Sequence, residues 1–179
     1  QGISLTEIPP IPRGYQFVVC LTHDVDHFGI RNHCCDHTMF GFLYRATLGS
    51  LFSFWTGRKT FRQMVANWKA AFSLPLVYLG LATDFWRTLH LYRRIESGSP
   101  STFFVIPRPN DCGQESKGPA PSRRAAKYEI EQISDEIEGL VSSGCEIGLH
   151  GIDAWNDAIK GRSELQQIRS ATRQPEVGV

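Results

Sequence analysis

Several things are scarce or missing in this sequence, and each absence narrows the problem. No stretch reaches the roughly 18 to 20 uncharged apolar residues that a membrane-crossing helix needs. There is no excess of either charge: the formal net charge is +1. The basic residues are scattered, and Arg93-Arg94 and Arg123-Arg124 are only short pairs. That distribution excludes a basic stripe for nucleic acid, so no nucleic-acid partner is expected. The five cysteines are odd in number and irregularly spaced, which argues against a disulfide framework. Cys20 and Cys145 lie in apolar runs and are expected to be buried as small hydrophobes. This usage points to a reducing compartment, the cytoplasm. The N-terminal stretch begins with Gln1, is polar and Pro-rich, and shows no secretory leader. No internal repeat is visible.

What is present is an ordinary globular composition. Apolar residues make up 41% of the chain and charged residues 21%, enough for one domain with a real core. Pro9, Pro10 and Pro12 fall within four residues and mark an extended lead-in. Tyr15 to Thr22 (YQFVVCLT) is a near-continuous apolar run that predicts a strand buried on both faces. Ser101 to Pro107 (STFFVIP) and Cys145 to Leu149 (CEIGL) predict two more strands. Tyr128 to Ser143 predicts an amphipathic helix with Ile130, Ile133, Ile137, Leu140 and Val141 on one stripe, capped by Gly144. Ser163 to Gln174 predicts a last helix, with Gln166 as capping-box partner of Ser163.

Residues 39–95 form a long aromatic and apolar excursion between the first two strands. Leu81, Phe85, Leu89 and Tyr92 recur there at helical spacing. The favoured reading is a helical layer packed on the domain. The sharper reading is a peripheral membrane or protein-binding surface, because so many aromatics are hard to bury in so few helices. Strands alternating with helices imply an α/β fold built on a parallel sheet or barrel.

Two predicted strands end in chemistry. His23, Asp24, Asp26 and His27 follow the first, and His150 and Asp153 follow the third. Carboxyl ends of parallel strands converge on one face, where active sites form. In extended chain, Asp24 and Asp26 share a side, with His23 and Val25 facing away. Two neighbouring carboxylates repel, and a divalent cation relieves the repulsion. A mixed Asp/His set suits zinc, with one carboxylate on the metal and the other acting as a base. Against this, a lone Asp-x-Asp is more often a turn or a cap, and a lone His is more often structural. Trp155 and Asp157 also fit the start of a helix. The run His33-Cys34-Cys35-Asp36-His37 has a metal-like composition but matches no usual zinc spacing.

LTHDVDH after a strand, STFFVIP as the next strand and GCEIGLHGIDAW after an amphipathic helix resemble the polysaccharide deacetylases of carbohydrate esterase family 4. The resemblance covers residues 15–26 and 97–155, and 39–95 has no counterpart in compact members. It implies the N-terminal part of a distorted (β/α) barrel with a long helical insertion. It also implies a zinc-type divalent cofactor, a carbohydrate substrate and hydrolysis of the acyl amide of an N-acylated sugar. By that likeness Asp24 is the general base, and Asp26 and His150 are metal ligands. The family's second histidine falls at Ala154, which binds no metal. Asp153, His23 or His27 would have to replace it, or the barrel is silent and only binds carbohydrate or a partner. The later family motifs find no match before Val179, so the chain is expected to be the front of a longer domain.

Overall fold

Three short parallel strands organise the chain, and each forms where β-branched and aromatic residues meet a neighbouring ladder. The computed structural model describes residues 11, 14–96, 98–115 and 118–173. The strand β1 spans Thr22–Val25, β2 spans Thr102–Val105 and β5 spans Glu146–Leu149, in the spatial order β1-β2-β5. A two-stranded antiparallel hairpin, β3 (Gln114–Glu115) and β4 (Gly118–Pro119), lies in the Pro- and Gly-rich loop after β2. Between β1 and β2 come four helices: α1 (His37–Ala46), α2 (Leu48–Trp55), α3 (Phe61–Tyr78) and α4 (Leu89–Ile95). The helix α5 (Ser134–Val141) precedes β5, and α6 (Ala158–Thr172) follows it. The architecture is therefore mixed α/β on a parallel three-stranded sheet, with no closed barrel among the described residues.

The register decides which side chains face inward. His23, Phe103 and Ile147 are aligned across the sheet, as are Val25, Val105 and Leu149. This face is the core: Phe103 and Val105 are essentially inaccessible, and Ile133, Ile137, Leu140 and Ile168 from the following helical segments pack with them. Tyr92 of α4 lays its ring against His23 at 4.5 Å. Thus α4, α5 and α6 all cover one face. The opposite face carries Thr22, Asp24, Thr102, Phe104, Glu146 and Gly148, of which Thr22, Asp24 and Glu146 are exposed. Gly148 is required there, because a Cβ would stand 2.5 Å from the Phe104 ring.

The second and third strands and the Ile130–Leu140 stripe form where the sequence places them. Its first segment, Ile130–Ile133, is a 3-10 turn that leads into α5. Gly144 takes φ +84° and turns the chain into β5.

Four expectations change. The first strand is not Tyr15–Thr22. Its ladder begins where β2 begins, with Thr102 N–H donating to Leu21 O at 3.0 Å. Residues 15–20 find no strand partner among the described residues, and Tyr15, Phe17 and Val19 are exposed. Cys20 is exposed for the same reason, whereas Cys145 is buried as expected. The helical spacing across Leu81–Tyr92 does not make one helix. Gly80 at φ +80° closes α3, and Asp84 turns inward to accept N–H bonds from Ile30, Arg31 and Trp86. Finally, the last helix starts at Ala158, not Ser163. The Asp157 carboxylate accepts from the Ile159 and Lys160 N–H groups, an N-cap that ends the orphaning of the first turn. The predicted end of that helix at Gln174 lies outside the described residues.

Candidate functional site

The carboxyl ends of β1 and β5 bring Asp26 and His150 together. The His150 Nε2 lies 3.6 Å from Asp26 Oδ1, and both side chains are accessible. His150 is placed by the ladder, since its N–H donates to Val105 O at 2.9 Å. The two residues border a cleft of about 380 Å³ that His27, Asp111, Arg123 and Trp155 also line. The Trp155 indole N–H donates to Ile152 O, which fixes the ring at the rim. Arg124 is paired with Glu115 at 2.8 Å, while Arg123 meets no carboxylate among the described residues.

The floor of this site is built by residues whose roles the sequence did not declare. Tyr128 is buried, and its hydroxyl donates to Val25 O at 2.7 Å and accepts from Ile106 N–H at 2.9 Å. It ties the exits of β1 and β2 directly beneath Asp26. Burial pushes its phenol well above the usual range, so it remains a neutral donor. Glu164 of α6 is also buried, and its two oxygens accept from Ile152 N–H and Asp153 N–H, both at 3.0 Å. It holds the loop that follows His150. The sequence signal was present: Glu164 shares the stripe of Ile168 and Thr172 at four-residue spacing, the inward face of α6.

The other site candidates have distinct positions. Asp24 is exposed on the open sheet face and does not line the Asp26–His150 cleft. A smaller cavity beside β1, about 250 Å³, touches it instead. His23 points to the core face, with Nε2 2.5 Å from Glu96 Oε1 and its ring against Phe103. His27 lines the cleft, and its pKa is lowered by burial first and by neighbouring His33 second. Asp153 is turned away from the cleft: it is buried, bonded to Lys160 Nζ at 2.7 Å and to the Gln114 N–H at 2.8 Å. The Lys160 ammonium and that N–H hold its carboxyl below the usual range. It ties the β3 loop to the loop after β5. Ala154 lines no part of the cleft either; its methyl packs within 3.1 Å of where a Cβ on Gly161 would stand.

The His33–His37 run is helix-capping chemistry. The Asp36 Oδ1 accepts from Met39 N–H at 2.9 Å, and its Oδ2 lies 2.7 Å from His33 Nδ1. Burial works against the Asp36 carboxylate, but the Met39 N–H and the His33 imidazole outweigh it and lower its pKa. Among the described residues no group of three His, Cys, Asp or Glu side chains converges to hold a metal ion.

No family model, curated protein or solved structure matches the chain. Function must therefore be argued from the cleft itself.

Proposed function

We propose that the chain forms a deacetylase-like (β/α) barrel wall that hydrolyses the acyl amide of an N-acylated sugar in the Asp26–His150 cleft. The observation that carries this reading is the convergence of those two residues, distant in sequence, at the exits of parallel strands. The barrel part draws support from three sequential parallel strands with every sheet-packed helix on one face and the other face open, the arrangement of a barrel wall.

A resident zinc does not fit the donors at hand. A catalytic zinc takes three protein ligands. Asp26 and His150 offer two, Asp153 is committed to Lys160 and the Gln114 N–H, His23 is bonded to Glu96, and position 154 faces Gly161. His27 lines the cleft but does not converge with Asp26 and His150 into a group of three. What the chain's own groups supply is acid–base chemistry. The accessible His150 imidazole takes a proton from a water that attacks the amide carbonyl. The Asp26 carboxylate beside Nε2 stabilises the imidazolium, which then returns the proton to the leaving amine. The motif resemblance makes Asp24 the general base instead, but Asp24 lies outside this cleft and takes no step in the His150 scheme. Arg123 faces the developing oxyanion as a cation without a carboxylate partner.

Acetate release from N-acetylglucosamine oligomers, measured with added zinc and with chelator, tests the reading. Asp26→Asn and His150→Ala should each lower the rate by about 10²–10⁴-fold. Equal activity of Asp24→Asn and the unsubstituted chain would remove Asp24 from the chemistry. The incomplete donor set favours a second reading, a silent barrel that binds carbohydrate. Oligomer binding without acetate release, unchanged in His150→Ala, would establish it.

A further inference from the structure

The helices α1, α2 and α3 bury few side chains and leave many large apolar ones outside. Of their seven buried residues, Met39, Met64, Leu74 and Val77 are larger apolar side chains and Ala46, Ser50 and Ala71 are small, and the Asn67 amide donates to Ser50 Oγ at 3.0 Å. Other large apolar side chains face outward. In α2 the sole buried residue is Ser50, whereas Leu48, Leu51, Phe52 and Trp55 are exposed, Trp55 by 87%. Those four positions follow i, i+3, i+4, i+7 and form one stripe. In α3 the exposed Phe61, Phe72, Leu76 and Leu79 fall within about 60° of arc at the helical repeat. The Phe54 and Phe61 rings meet at 5.9 Å and join the two helices at their shared turn. Isolated exposed apolar residues are ordinary on a soluble surface, but aromatic stripes on adjoining helices mark a surface that something covers.

The charges of this region say what covers it. Between Asp36 and Asp84 the sequence contains no Asp or Glu, yet it contains Arg45, Arg58, Lys59, Arg62 and Lys69. The rest of the chain is net acidic. None of the five cations meets a carboxylate among the described residues. Arg58 and Lys59 come three and four residues after Trp55, and Arg62 directly follows Phe61, so the cations and the exposed aromatics are close in the chain. A second copy of this face would set like charges against like. An occupant that is both apolar and anionic satisfies both features. No helix among the described residues is long and apolar enough to cross a membrane.

We infer that α1–α3 form a peripheral docking surface for an anionic lipid bilayer, with Phe52, Trp55 and Phe61 seated at the acyl boundary and Arg58, Lys59 and Arg62 at the headgroups. Aromatic side chains favour that boundary, and basic residues are drawn to the negative surface. This surface is separate from the Asp26–His150 cleft and does not rest on the hydrolase reading.

Co-sedimentation of the full chain with vesicles tests it. Phosphatidylglycerol–phosphatidylcholine vesicles should bind the chain at least about tenfold more tightly than pure phosphatidylcholine vesicles, and added salt should narrow that gap. Tryptophan emission should shift to the blue on binding, and Trp55→Ser should remove most of the shift. Phe52→Ser with Trp55→Ser should weaken binding to both vesicle types. Arg58→Gln, Lys59→Gln and Arg62→Gln together should erase the preference for the anionic one. Lys59 is half-buried and the other four positions are exposed, and circular dichroism checks that each variant is folded. No co-sedimentation of a folded chain with either vesicle overturns the inference. So does binding that ignores both sets of substitutions. A dimer that the Phe52/Trp55 double variant dissociates, without vesicle binding, assigns the face to a second copy instead.

Discussion

The sheet-packed part of the molecule and its α1–α3 insertion differ in how many large apolar side chains they leave outside. On the sheet, Phe103, Ile137 and Ile168 are buried. In α2 and α3, Phe52, Trp55 and Phe72 face out while Ser50 and Ala71 are buried. Both regions show helical apolar periodicity, so periodicity alone does not tell a core stripe from a docking stripe. What separates them is the partner. The sheet helices have a β-layer against which to pack, and the insertion helices have mainly each other.

That contrast can be broken most forcefully at Phe103. Phe103→Ala should cost about 3–5 kcal/mol in chemical denaturation, because it empties the centre of the core. A loss below about 1 kcal/mol would mean that the sheet face is not the core at all. Next comes Tyr128→Phe, which strands the buried Ile106 N–H and removes the clamp on Val25 O. A cost of about 1–3 kcal/mol is expected, with slower turnover or weaker ligand binding at Asp26 if the clamp positions it. Asp36→Ala probes the entry of the insertion and should cost about 1 kcal/mol through the lost cap of α1. Asp36 also carries a pH signature. Its folded pKa lies below its ordinary 3.8, so its stabilisation is complete above that value and is lost as the pH falls through the folded pKa. Acid unfolding followed by circular dichroism should lose that component in Asp36→Asn. The smallest effect belongs to Trp55→Ala, within about 0.5 kcal/mol in the absence of lipid. A core-sized cost there would move Trp55 into the interior and erase the contrast.

The candidate site was legible where chemistry sits at a strand exit. STFFVIP and CEIGL form β2 and β5, so His150 was expected at the carboxyl edge of the sheet, the edge to which Asp26 also belongs. The offset of β1 was not legible, because YQFVVCLT has the composition of a strand whether or not another strand lies beside it. The use of Asp153 was also hidden. A carboxylate three residues after His150 reads as a ligand until Lys160 and the Gln114 N–H are found to occupy its oxygens. Tyr128 was missed because its partner Val25 O is remote in sequence, and for Glu164 the spacing with Ile168 and Thr172 announces an inward position but not the Ile152 and Asp153 N–H groups that it holds.

The sequence by itself determined the alternation of strands and helices, the Ile130–Leu140 stripe, and the polar residues that follow the strands. These are local properties: side-chain period and cap or turn chemistry act over a few residues. The tertiary structure alone decided that Asp26 meets His150, that Asp24 lies outside their cleft and Ala154 packs towards Gly161, and that the aromatics of α2 and α3 face outward. Those outcomes depend on which surface stands opposite each side chain. That is a long-range property, set by sheet register and helix packing rather than by neighbours in the chain.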